Sequence, residues 1–127
     1  MTVFVREMSA TPEISKQIRV LSVSADPALS YTQGLLLLSH GFEVETAVSK
    51  SYAQELIQSN SFDLLVFGNR LTPETCRELA ESFRLRNPSG KIIEVVSANW
   101  DARVNEPDAI AVGPEGLIAA IRQIAQA

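Results

Sequence analysis

A chain of 127 residues with 46% hydrophobic and 20% charged residues has the mixture of an ordinary globular domain, which excludes a disordered tail or a polar linker. That length suits one domain burying roughly two-thirds of the surface its unfolded form exposes. A formal net charge of −4, with the eleven Lys and Arg scattered, excludes general attraction to nucleic acid or anionic lipid.

Residues 1–16 show no periodic pattern and no apolar h-region of a signal peptide, and read as a loose leader before a domain over 17–127. No uninterrupted apolar stretch approaches the roughly 20 residues that span a bilayer. Ile18 to Val23 is a short β-branched strand. Asp26 then caps a helix that starts at Pro27, carries Leu29, Leu36 and Leu37, and stops at His40-Gly41. Phe42 to Val48 alternates apolar and polar residues, the pattern of a strand at a sheet edge or exposed on one face. Ser49 caps a second helix with Ala53, Leu56 and Ile57 on one side.

The unbroken apolar run Leu64 to Phe67 predicts a strand covered on both faces. It ends at Gly68. Thr72-Pro73 begins a third helix to about Arg86, with Cys76, Leu79, Ala80 and Phe83 at helical spacing. Cys76 is the single cysteine, so no intrachain disulfide or cysteine-based zinc site forms, which fits a reducing cytoplasm. Lys91 to Ser97 and Ala109 to Val112 are the last two strands, and Pro114 to about Ala125 is a final helix with Leu117, Ile118, Ile121 and Ile124 on one face. Strands alternating with helices predict a mostly parallel sheet with helices on both faces.

The phrases "IRVLSVSADPALS", "FEVETAVSKSYAQELIQSNSFDLLVFGNRLTP" and "IIEVVSA", with "GP" before the last helix, resemble in order and spacing the receiver domain of bacterial two-component response regulators. The resemblance covers about residues 18–125. It implies an α/β, flavodoxin-like (CheY-like) three-layer sandwich with a five-stranded parallel sheet in the order 2-1-3-4-5. The site would then lie at the carboxyl ends of the first and third strands. In that family an acidic pair, an acceptor aspartate, a hydroxyl and a lysine surround Mg²⁺ and a phosphoryl group. The carboxylate is the nucleophile, and the metal neutralises the phosphoryl oxygens.

Laid onto this chain, the acidic pair falls at Ser24 and Ala25, the acceptor at Gly68, the lysine at Gly113 and the switch aromatic at Ile110. Only the hydroxyl survives, as Ser97. Asp63 lies five residues before Gly68, about 16 Å along the strand, too far to substitute. Asp26 is nearer, but one carboxylate engaged as an N-cap makes a poor Mg²⁺ site.

Only fifteen residues separate Ser97 from Gly113, and Pro107 interrupts them, so the helix between the fourth and fifth strands is expected to be shortened to a turn or loop. Under so thin a cover Glu94, in mid-strand, is expected to be partly solvated, against the alternative of a buried pair with Lys or Arg. Trp100 either closes the core beneath that cover or anchors a partner, so that Glu94 and Trp100 are the candidates for a partner surface. The resemblance with its emptied site implies a cytoplasmic, non-enzymatic pseudo-receiver without cofactor or Mg²⁺, binding a protein partner or itself. The alternative is a small-ligand-binding flavodoxin-like domain without catalysis. Against it, the carboxylate of Asp26 sits on the helix end where a phosphate needs bare N–H groups, and His40, the sole histidine, ends a helix as a surface residue.

Overall fold

The computed structural model describes residues 18–68, 70–96 and 107–126. Its elements in chain order are β1 (Arg19–Val23), α1 (Pro27–Ser39), β2 (Glu43–Ala47), α2 (Lys50–Ser59), β3 (Leu64–Phe67), α3 (Pro73–Arg86), β4 (Lys91–Val96), β5 (Ala109–Val112) and α4 (Gly113–Gln126). The leader, Ser97, Trp100 and most of the β4–β5 connection, including its expected shortened helix, lie outside the described residues.

All five strands form one parallel sheet in the order β2-β1-β3-β4-β5. The central strand β3 is buried along its whole length, as an apolar run with no polar alternation requires. At the margin, β2 leaves Glu43 and Glu45 exposed and turns Ala47 inward. Each face of the sheet carries its own core. Leu21, Val23, Leu65, Phe67 and Ile92 meet α2 and α3 through Leu56, Ile57, Cys76, Leu79 and Phe83. On the reverse, Val20, Leu64, Val66, Ile93 and Val95 meet Leu37 of α1 and Leu117, Ile118 and Ile121 of α4. Lys50 of α2 also pairs with Glu78 of α3, whose hydrogen bond holds the ammonium above the ordinary lysine range.

Three helix starts follow their expected caps. Asp26 accepts from the N–H groups of Ala28 and Leu29, Ser49 from Tyr52 and Thr72 from Thr75, each satisfying donors that the first turn leaves unpaired. His40 is the C-cap of α1, exposed, with Gly41 following at φ +89°. At the amino edge of the sheet, Asp63 Oδ2 accepts from Arg19 N at 2.9 Å and Asp108 Oδ2 from Ile92 N at 2.7 Å. Asp63 is thus committed at the end opposite Gly68.

One expectation is corrected. Glu94 is fully buried, so it is neither partly solvated nor part of an exposed partner surface. It stands two residues from Ile92 on the same face of β4 and in register with Phe67 of β3, and both of these are fully buried in the α2–α3 side of the core. The inward face of α1 is partly polar. Ser30, Gln33, Gly34 and Leu37 are buried, while Tyr31, Leu35 and Leu38 are exposed. A Cβ on Gly34 would stand 3.1 Å from Thr46 Cγ2, so α1 lies close over β2 and leaves no room for a leucine on that side.

Candidate functional site at the carboxyl edge of the sheet

The strand order reverses beside β1, so the loops after β1 and β3 open a crevice there, the usual ligand position of such sheets. Backbone pairing fixes the two loops against each other. Gly68 N donates to Val23 O at 2.7 Å, and Ser24 N donates to Ala47 O at 3.0 Å. The structure therefore brings Ser24 and Gly68 together as the resemblance implies, and both are buried. Ala25 faces solvent instead.

The space at Gly68 is tight. A Cβ built on it would stand 3.1 Å from Ser24 Cβ, 3.3 Å from Gln33 Oε1 and 3.4 Å from Ser24 Oγ. Contacts this short require the neighbours to move, and both neighbours are buried side chains in a packed interior. Ser24 Oγ accepts from Asp26 N at 3.2 Å, and Ser22 Oγ reaches Gln33 Oε1 in a long contact of 3.5 Å. Ser22, Ser24 and Gln33 thus form a neutral polar cluster beneath the position where the family keeps its acids.

Sequence reasoning did not identify Gln33 or Ser22 as parts of this site. One signal was available: Ser30, Gln33 and Gly34 recur at helical spacing with Leu37, a stripe of small and polar residues that only a close, partly polar neighbour would accept.

Over the rim, Asp26 is half-buried and fully engaged. Its Oδ1 accepts from Ala28 N at 3.0 Å and Leu29 N at 3.3 Å, and its Oδ2 faces Arg70 Nε at 3.5 Å. Arg70 comes from the β3–α3 loop and holds φ +67°, a conformation that is uncommon for a residue with a side chain. The rim is therefore bridged by an ion pair between the two loops. Among the described residues, no group of three or more His, Cys, Asp or Glu converges. One carboxylate already shared among two N–H groups and a guanidinium does not fit Mg²⁺, which wants carboxylate oxygens free in a near-octahedral shell.

Gly113, at the lysine position, begins α4 with φ +74°, in the left-handed region that a lysine would enter at a cost of roughly 1–2 kcal/mol. Ile110, at the aromatic position, is half-exposed on β5. Ser97 and Trp100 lie outside the described residues. A groove of about 640 Å³ runs along α3, lined by Glu74, Arg77, Glu78, Glu81, Arg84 and Leu85, residues of that helix and not of the crevice.

Replacing Asp26 by Ala removes the cap of α1 and the bridge to Arg70. The expected loss is about 1 kcal/mol, most of it from the cap, since the ion pair is largely exposed. A fall in the urea midpoint with unchanged m-value measures it.

No protein-family model matches the chain, and no curated protein does. Solved structures do match. The chemotaxis response regulator CheY4 of Vibrio cholerae superposes with a TM-score of 0.72 at 19% identity, over 86% of this chain and 99% of that one. The CheY-like receiver domain protein of Methanospirillum hungatei gives 0.70 at 25% identity, over 85% and 93%. The response regulator TrrA of Thermotoga maritima, in complex with Mg²⁺ and BeF, gives 0.69 at 19% identity, over 87% and 98%. With the strand order 2-1-3-4-5, these likenesses establish that the chain has the fold of the CheY-like receiver domains.

Proposed function

We propose that this chain is a non-phosphorylatable pseudo-receiver, a cytoplasmic protein-interaction module of two-component signalling that works without Mg²⁺ and without catalysis. The observation that carries the reading is the packing at Gly68. The acceptor carboxylate is missing, and a Cβ there would stand 3.1–3.4 Å from Ser24 and Gln33, so these neighbours would have to give way. A phosphoryl group needs a nucleophile and a counter-charge at the same point. Asp26, the carboxylate at the rim, is a helix cap tied to Arg70.

A binding role uses surface instead of the crevice. Ile110 and Val112 are 48% and 56% exposed on β5, an apolar pair beside the last helix. The solved complex of the Thermotoga maritima histidine kinase ThkA with TrrA supports a protein as the partner class, since this chain superposes there with a TM-score of 0.68. The small-ligand alternative is the weaker reading, because Asp26 places a carboxylate over the amino end of α1.

Incubation with acetyl phosphate and Mg²⁺ followed by intact-mass spectrometry is expected to leave the mass unchanged. An acid-stable but hydroxylamine-labile gain of about 80 Da, one phosphoryl group on a carboxylate, defeats the proposal.

A further inference from the structure

We infer that the outward face of α1 pairs with the same face of a second copy of this chain, antiparallel across a two-fold axis at Leu35. Ala28, Tyr31, Leu35 and Leu38 follow one another at intervals of three, four and three residues, the spacing of a coiled-coil seam. Tyr31, Leu35 and Leu38 are 68%, 49% and 55% exposed, so the seam points to solvent along the length of the helix. Pro27–Ser39 contains no charged residue, whereas α2, α3 and α4 each carry both signs of charge. A solvent-facing helix normally alternates charge with its apolar stripe. This one has the composition of a covered helix.

The identity of the occupant follows from symmetry and charge. Tyr31 lies four residues before Leu35 and Leu38 three after it. An antiparallel copy therefore sets Tyr31 against the second Leu38 and Leu35 against its own equivalent, the self-complementary match of a two-fold interface. A partner of different sequence is selected by charges flanking the seam. The seam has none, so identical faces meet without repulsion despite the net charge of −4. The antiparallel arrangement also sets the amino end of each helix, with Asp26, beside the carboxyl end of the other, with His40, which suits both helix dipoles.

A helix about 20 Å long buries less than the roughly 800 Å² per partner of a standard interface, so the pairing is reversible and concentration-dependent. It deepens the interaction role proposed above and rests on its binding half alone. A phosphoryl adduct would remove the pseudo-receiver reading and leave this pairing untouched.

Sedimentation velocity on the full chain from micromolar to millimolar concentration tests the pairing. The weight-average mass is expected to rise toward two copies. Leu35→Glu and Leu35→Lys should each stay at one copy with unchanged circular dichroism, and their equimolar mixture should pair again. Tyr31→Ser, which adds no charge, should weaken association by roughly tenfold or more. A wild-type mass of one copy throughout overturns the inference. So does undiminished pairing of Leu35→Glu or Tyr31→Ser, a mixture that stays apart, or loss of pairing in Ile110→Glu, which would move the interface to β5.

Discussion

Placing an acid at the proposed acceptor position by Gly68→Asp is expected to destabilise the protein and to leave it unphosphorylated. The new Cβ enters space bounded by Ser24 Cβ at 3.1 Å and Gln33 Oε1 at 3.3 Å, and overpacking of this kind costs about 1–3 kcal/mol. The carboxylate adds to that, since burial penalises its charged form. Gly68→Ala separates the two contributions: it carries the steric cost without the charge, so its loss in urea unfolding should be the smaller. The gap between the variants should narrow at low pH, where the new carboxyl is protonated and its burial costs less. Adding Gly113→Lys should not rescue phosphorylation, because the backbone there is left-handed. An aspartyl phosphate on Gly68→Asp alone would show that the pocket is merely unarmed, in contradiction to its observed packing.

The second large effect concerns the helix that braces the central strand. Phe83→Ala should cost about 3–5 kcal/mol, since Phe83 is fully buried in the α3 side of the core and a cavity replaces the ring. Two residues on, Leu85 is 81% exposed, and Leu85→Ala should change stability by no more than about 0.5 kcal/mol. Thermal or urea unfolding of the pair checks the rotation of α3 about its axis. Near-equal losses would mean that the helix presents a different face. The same end of α3 is fastened by Asn87, whose Oδ1 accepts from Phe62 N at 3.1 Å and whose Nδ2 reaches Phe83 O at 3.4 Å.

Where sequence and structure agree, a local physical rule had one outcome. Asp26, Ser49 and Thr72 cap because each stands one residue before a helical run with its oxygen free to accept N–H groups. Leu64–Phe67 is central because an apolar run without alternation has no face to give to water. That β3 ends in a glycine is read directly from the sequence. What packs against that glycine is not, since it depends on the phase of α1. Four consecutive leucines, Leu35–Leu38, cover more than a full turn and give the helix no preferred side by hydrophobicity. The tight approach of Gly34 to Thr46 decides the rotation, and that is a contact between residues twelve apart. Glu94 is a related case. The expected solvation rests on the thickness of one connection, whereas its face of the sheet, shared with Phe67 and Ile92, is buried in the core.

The two margins of the sheet are chemically unequal, and this limits how far assembly can go. β2 carries Glu43, held by Arg19 at 3.0 Å, and Glu45, while β5 has no ionisable side chain. Growth of a filament by joining sheets head to tail needs both margins to accept a strand, and acidic residues along one of them discourage that. Joining of sheets edge to edge is therefore disfavoured at the β2 margin, and crowding should not extend the sheet from that side.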